Sequence, residues 1–447
     1  MVKRAKLSRR AGSSTRHTES IDTGIARHRA GDLEGAAWCY QRILAFEPNQ
    51  VDALHFLGLL EHQRGHSERA LELMNRSIEL LPDHPDFYSN RGNVHKLLGR
   101  LVEAEHDYRQ VLRLAPEHTN ALNNLGTVLR ERGEFESAVE QYRKAIALDP
   151  AHADAHQNLG NALGSLNHFD EALDAHRVAL QLRPNQGDSY RHLAGMFYAL
   201  GRIEEAADLY RQWLNLEPSH PIAIHMLAAC TGINVPERAS NEYVQSSFDQ
   251  FAASFDRALL RLEYRAPQLV GEALNELIGP TSQLCVLDAG CGTGLVSSVV
   301  RPFARRLVGV DLSPQMVERA RARACYDELY VAELVEFCIG NPAQYDAVIS
   351  ADTLVYFGAL DNAFGAMAQT LRRPGHCVFT VERADPGQVP MGYRIQPHGR
   401  YQHTAEYLNI ALARAGFGKC QIRQVQLRKE AGKWVDGLLV LAHLPTI

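Results

Sequence analysis

Hydrophobic and polar positions follow two rhythms along this chain, and the rhythm changes near residue 240. Upstream, apolar residues recur three and four apart in short segments, the spacing that lays one apolar stripe along an α-helix. The segments come in pairs split by a glycine or asparagine, and each pair closes on a proline. Downstream, brief apolar runs such as Cys285-Val286-Leu287 and Leu307-Val308-Gly309-Val310 alternate with helical stretches. Those runs read as short strands with helices between them.

The upstream rhythm has a fixed period. Pro48, Pro82, Pro116, Pro150, Pro184 and Pro218 stand 34 residues apart without a break. Twelve positions before each is Ala36, Ala70, Ala104, Ala138, Ala172 or Ala206, and seventeen before is Gly31, Gly65, Gly99, Gly133, Asn167 or Gly201. Eight before stands Tyr40, Met74, Tyr108, Tyr142, His176 or Tyr210. The glycine or asparagine suits a left-handed turn between helices. The alanine marks a close helix approach, and the proline ends the second helix. One such hairpin cannot bury its apolar face, so neighbours stack into a superhelix with a concave groove.

These positions resemble the tetratricopeptide repeat, over six units plus a capping helix in residues 17–230. A breaker-rich stretch, Thr231, Gly232, Asn234, Pro236 and Ser240, reads as a linker over residues 231–243. Phe248, Phe251, Phe255, Leu259 and Leu262 then predict one amphipathic helix that opens a second domain, residues 244–447.

Asn90, Asn124 and Asn158 occupy the same position in three consecutive units. An asparagine amide both donates and accepts, so it pairs with a peptide backbone without reading its sequence. The row resembles the asparagine ladder of O-GlcNAc transferases, which implies a protein or peptide partner; a hydrated polar wall is the competing reading. The row is interrupted by Phe56 and His192 at the equivalent positions of other units.

The chemistry lies in residues 284–311. A strand ends in Asp288-Ala289-Gly290-Cys291-Gly292-Thr293-Gly294, and the next strand ends in Asp311. Glycines belong where backbone must approach a ligand, and an acid at the neighbouring strand tip suits a ribose diol. Spacing alone supports a nucleoside-containing cofactor. The third glycine comes one residue early for a dinucleotide fingerprint, which disfavours a nicotinamide oxidoreductase, and the absence of G-K-[ST] excludes a P-loop.

The stretch VLDAGCGTG resembles motif I of the Rossmann-like S-adenosylmethionine-dependent methyltransferases, and later segments keep that family's order. The resemblance implies an α/β doubly wound, seven-stranded, mostly parallel domain that follows the all-α superhelix. It implies that Gly290, Gly292 and Gly294 cradle the methionyl and ribose parts and that Asp288 orients the ammonium. Asp311 would take the ribose hydroxyls, Leu312 and Met316 would flank adenine, and Glu333 would face its amine. Asp352 sits at a strand's C-terminal end, where such sheets bind ligands. Tyr356 and His403 are the candidate bases, with Tyr264, Arg265, Arg400 and Tyr401 nearby. Methyl transfer from a sulfonium needs alignment more than an acid–base triad.

Composition narrows the rest. In 447 residues, 45% are apolar and 22% charged, which excludes a disordered or fibrous chain. With 47 basic against 52 acidic side chains, no polyanion-binding character emerges, so nucleic acid is not the expected partner. No apolar run approaches the roughly 20 residues that span a bilayer. Residues 1–16 are basic (Lys3, Arg4, Lys6, Arg9, Arg10, Arg16) with no apolar segment after them, and read as a solvated leader. The eight cysteines show neither C-x-x-C nor zinc-ligand spacing, so no metal is expected and a reducing, cytoplasmic setting is. The expectation is a methyltransferase acting on an O or N acceptor, either a recruited protein or peptide or a small molecule. The alternative is a repeat scaffold whose methyltransferase fold binds cofactor without turnover.

Overall fold

The computed structural model describes residues 15–279, 283–418, 420–430 and 432–446. The basic leader expected over residues 1–16 lies outside them, apart from residues 15 and 16 at the start of the helix Thr15–Arg29. The chain divides into two compact units, Met1–Met196 and Phe197–Ile447.

The first unit is a run of helical hairpins: Thr15–Arg29 with Leu33–Phe46, Val51–Gln63 with Ser67–Leu80, Pro85–Leu97 with Leu101–Leu114, Thr119–Glu131 with Phe135–Leu148, and Ala153–Ser165 with Phe169–Leu182. The turn positions are left-handed as the spacing requires. Gly133 has φ +86°, and Asn167 holds the same geometry at φ +62°. The signature alanines of this unit, from Ala36 to Ala172, are fully enclosed.

A second glycine register underlies this packing. Gly24, Gly58, Gly92, Gly126 and Gly160 lie 34 apart, each facing the large residue sixteen positions on. A Cβ on Gly126 would stand 2.6 Å from the Tyr142 ring. The hairpins also carry histidine caps: His118 Nδ1 accepts from Ala121 N–H at 3.1 Å, and His152 Nδ1 from Ala155 N–H at 3.3 Å. These satisfy donors that the first helical turn leaves open.

The second unit includes the helices Ile203–Leu216 and Pro221–Thr231, the latter closed by left-handed Gly232, and then an α/β fold. Its strands are β1 (Leu284–Ala289), β2 (Ala304–Asp311), β3 (Glu328–Val331), β4 (Tyr345–Ser350), β5 (Leu371–Arg383), β6 (Tyr393–Ile395), β7 (Tyr401–His403), β8 (Cys420–Glu430) and β9 (Lys433–Leu444). The order β3-β2-β1-β4-β5 is parallel throughout, and β9 and β8 continue it antiparallel. These seven match the expected sheet. The short β6–β7 hairpin, attached to the end of β5, is an addition the sequence pattern does not reveal.

Core side chains cover both faces. Leu287, Val310, Val348, Phe364 and Phe379 pack on one, and Val286, Ile349, Val378, Leu269 and Val270 on the other. The helix expected through Phe248 to Leu262 is two, Asn241–Phe251 and Phe255–Arg261, because the chain breaks at Ala252–Ser254.

The segment around residues 236–240 is bonded into the sheet's rim. Glu237 O accepts from Gly358 N–H at 2.8 Å and Ala359 N–H at 2.9 Å, and Ala239 N–H donates to Tyr356 O at 2.8 Å. Tyr401 Oη donates to Pro236 O at 2.6 Å.

Candidate functional site

The glycine loop follows β1 at the C-terminal edge of the sheet, where a doubly wound fold leaves a crevice. Gly290, Gly292 and Gly294 have φ of +86°, +53° and +82°, a region that side chains other than glycine enter at a cost. Their surroundings differ. A Cβ at Gly290 would overlap Thr353, and one at Gly294 would crowd Tyr326, but around Gly292 nothing lies within 4 Å of that position. Gly290 N–H and Cys291 N–H both donate to Val310 O, at 2.8 and 2.9 Å, which pins the loop to β2.

Asp288, 1% exposed, accepts from Tyr326 Oη at 2.6 Å through Oδ2, while Oδ1 has no hydrogen-bond partner among the described residues. Burial pushes its carboxyl up to about 7; the tyrosine bond opposes that rise and the nearby Asp311 adds to it. Asp311 accepts Gly292 N–H through Oδ2 and Ser313 N–H through Oδ1, both at 2.9 Å. Each oxygen keeps a further lone pair. Leu312 is half-buried beside it.

The helices Asn241–Phe251 and Phe255–Arg261 clasp this loop region. Asp249 accepts from Ser313 Oγ at 2.5 Å, and Asp256 accepts from Thr293 Oγ1 at 2.5 Å and pairs with Arg323. Phe248 meets Tyr356 edge-on, ring centres 5.4 Å apart. These acids carry no recognised motif, so only the fold exposes their role.

Four of the expected site residues are engaged within the fold. Met316 is 1% exposed beneath its helix, so no face is presented to a ligand. Glu333 caps the helix Leu334–Gly340 through Glu336 N–H and pairs with Arg238 at 2.6 Å. Asp352, at φ +56°, bonds Thr380 Oγ1 at 2.9 Å and Arg428 at 2.5 Å, and so joins an ionic cluster. His403 is fully enclosed, with Nε2 bonded to Gly358 O at 3.0 Å, and burial lowers its pKa to about 4. One ring nitrogen is thus taken by a backbone carbonyl, while Nδ1 has no hydrogen-bond partner among the described residues.

Tyr356 packs edge-on against Phe248; burial raises its hydroxyl, and the charges of Arg400, Arg428, Glu382 and Asp352 all act on it. Tyr264 is half-buried between Asp352 and Asp288, Arg265 is exposed, and Tyr401 is enclosed by its bond to Pro236.

In the repeats, the asparagine row turns out to brace adjacent units. Asn90 Nδ2 lies 2.9 Å from His55 Nε2, Asn124 Nδ2 donates to Asn93 Oδ1 at 3.2 Å, and Asn158 Nδ2 to Asn123 Oδ1 at 2.9 Å. Among the described residues, no cluster of three or more metal-ligating side chains occurs, and no helix is long and apolar enough to cross a membrane.

Comparison with known proteins agrees with this division. Residues 287–379 match a family described as methyltransferase domain. Residues 21–85, 85–118, 126–167 and 151–221 match tetratricopeptide repeat families. The chain is similar to methyltransferase-like protein 27 of Homo sapiens, 36% identical over 145 residues, covering 32% of this chain and 58% of that protein. It is also similar to a malonyl-[acyl-carrier protein] O-methyltransferase of Enterobacter lignolyticus, 30% identical over 132 residues, covering 29% and 52%. The crystal structure of MamA protein is 26% identical with a TM-score of 0.35, over 38% of this chain and 94% of that one. The chain thus spans about half the length of these two curated relatives.

Proposed function

We propose that this chain, which joins tetratricopeptide repeats to a methyltransferase domain, moves a methyl group from S-adenosylmethionine to an oxygen or nitrogen acceptor. The cofactor would supply an activated methyl on a sulfonium. The reading rests above all on Asp288 Oδ1, a buried carboxylate oxygen without a partner beside a left-handed glycine loop. A buried charge persists only if a ligand or neighbour completes it, and an ammonium does so here.

The residues fit the group. Asp288 holds the ammonium, and the open space at Gly292 admits the methionyl and ribose parts. Asp311, already fixed by two backbone N–H groups, offers its remaining lone pairs to the ribose hydroxyls, and Leu312 borders the base. The clasp through Asp249 and Asp256 would limit water at the crevice, and Tyr356, packed on Phe248, would face the acceptor. Alignment and exclusion of water then carry the rate, with no obligatory base.

In the repeats, a protein or peptide is recruited along the groove. Asn90, Asn124 and Asn158 each have one amide N–H engaged by the preceding unit and keep a second N–H and an oxygen for a backbone. Eight free cysteines accord with a cytoplasmic setting.

Calorimetry of the full chain with S-adenosylhomocysteine tests the core of this reading. Binding that Asp288→Asn weakens by about tenfold or more supports it; no binding by folded wild-type protein overturns it. Labelled methyl transfer into lysate then separates an enzyme from a cofactor-binding scaffold.

A further inference from the structure

At the far ends of β4, β5 and β8 lies a buried ionic cluster that the cofactor reading does not use. Arg428, 5% exposed at its side chain, reaches three carboxylates: Asp352 at 2.5 Å, Glu430 at 2.7 Å, and Glu382 Oε1. Arg400 donates through Nε to the same Glu382 Oε1 at 2.6 Å and through Nη2 to Glu430 at 2.6 and 2.8 Å. Glu382 is 0% exposed, yet its second oxygen, Oε2, has no hydrogen-bond partner among the described residues.

His398 Nε2 faces that oxygen at 3.5 Å, beyond a normal bond. Burial first, and then Arg400, lower His398 to about 4, so it is neutral at pH 7. In the cluster, three carboxylates, Asp352, Glu382 and Glu430, face two guanidinium groups, Arg400 and Arg428. Burial alone would neutralise Glu382, but Arg400, His398 and Arg428 hold its carboxyl down at about 2. The cluster has a charged acceptor in reserve, and the arginine donors that meet it are already engaged.

Its position matches the acceptor side of the crevice. Asp288 is level with Ile349 of β4, and Ile349 with Val378 of β5. Glu382 lies four residues further along β5, about 13 Å beyond that level and about 10 Å across two strands. Val378, Thr380 and Glu382 alternate onto one face, the face covered by the helix Ala266–Ile278. Tyr264, just before that helix, feels the charges of Asp352, Arg428 and Asp288 together, and Tyr356 those of Glu382 and both arginines. Both tyrosines thus lie within electrostatic reach of the cluster. Tyr198 meets His398 edge-on at 6.3 Å on the outer side.

We propose that Glu382 anchors the methyl acceptor through a cationic N–H donor, so that the acceptor carries an amine or guanidine group. This rests on the methyltransferase reading above and specifies the anchoring group, whichever atom receives the methyl. An anionic acceptor would have to displace carboxylates from Arg400 and Arg428, at the cost of leaving them buried and unpaired.

The test titrates the full chain, saturated with S-adenosylhomocysteine, with n-butylammonium and methylguanidinium, using n-butyrate and n-butanol as controls. The cations bind and the controls do not. Glu382→Gln weakens cation binding by about tenfold or more while affinity for S-adenosylhomocysteine stays within about twofold. Glu382→Asp, which keeps the charge and retracts it by one methylene, gives the same direction if the glutamine variant does not fold. Preferential butyrate binding, absence of cation binding, or cation binding unchanged in either folded variant overturns the proposal. Cation binding without any affinity for S-adenosylhomocysteine would instead strike the methyltransferase reading and leave this site standing.

Discussion

Tyr326 donates its phenolic proton to Asp288 at 2.6 Å, so one oxygen of a buried carboxylate is satisfied by the protein and the other is not. The single bond restrains a carboxyl that burial has already pushed up to about 7. A cationic ligand needs Asp288 ionised. Affinity for S-adenosylhomocysteine should therefore rise with pH up to about 7 and level off above it. Tyr326→Phe removes the bond that lowers the pKa, so the levelling point moves upward. Calorimetry at stepped pH checks this, and an unchanged profile in Tyr326→Phe would refute it.

Arg428 neutralises three carboxylates at once. Arg428→Met should cost about 3–5 kcal/mol of stability near pH 7, because buried charges lose their partner. The sign of its pH dependence follows from Glu382, whose folded-state pKa of about 2 lies below its ordinary 4.5. The wild-type stabilisation is complete above the ordinary value and fades as pH falls toward about 2. The gap between variant and wild type should shrink below pH ~4. Denaturant melts at both pH values decide it.

His403 separates structure from chemistry. Replacing it with glutamine should lower stability by about 1–3 kcal/mol, since a buried bond to Gly358 is lost. The pH profile of methyl transfer by the folded variant should keep its shape. Loss of an ionisation near pH 4–7 from that profile would restore His403 as a base.

The repeat turns make an ordered series. Gly133→Ala adds a Cβ into open space, so its cost is backbone alone, about 1–2 kcal/mol. Gly133→Asn should cost less, because Asn167 already holds that geometry at φ +62°. Thermal melts of the three proteins give the order directly.

The asparagine braces are tested by a double-mutant cycle between Asn123 and Asn158, whose side chains meet at 2.9 Å. A coupling of about 0.5–1.5 kcal/mol is expected. Zero coupling would make the row a groove wall only.

The repeats were legible because each constraint is local: a left-handed turn, a close contact and a helix stop recur at one spacing. The second glycine register, Gly24 to Gly160, obeys that spacing too, but its purpose shows only when a ring such as Tyr142 is seen above it. The glycine loop and Asp311 were legible because they flank consecutive strands, β1 and β2. The ionic cluster was not. Asp352, Glu382, Arg400, Arg428 and Glu430 come from distant segments, and the register of β5, β8 and β9 brings them together. Sequence reasoning picked out Asp352 and Arg400 singly; nothing in their spacing pointed to Glu382. The partners of Glu333 and Met316 were not legible either, since a strand-end motif names a position without saying which neighbour packs on it.

The bonds at residues 236–240 bear on how the α/β half is to be prepared in isolation. Pro236, Glu237 and Ala239 are hydrogen-bonded to the sheet rim, His225 bonds Gly399 O at 2.8 Å, and its ring stacks on Tyr243 at 3.9 Å. A recombinant fragment that starts at residue 244, where the repeat periodicity has ended, would strip the rim of these partners. One that starts upstream of the helix Pro221–Thr231 keeps them, at the price of retaining part of the repeat array. The gene's natural place to cut is thus earlier than its repeats suggest.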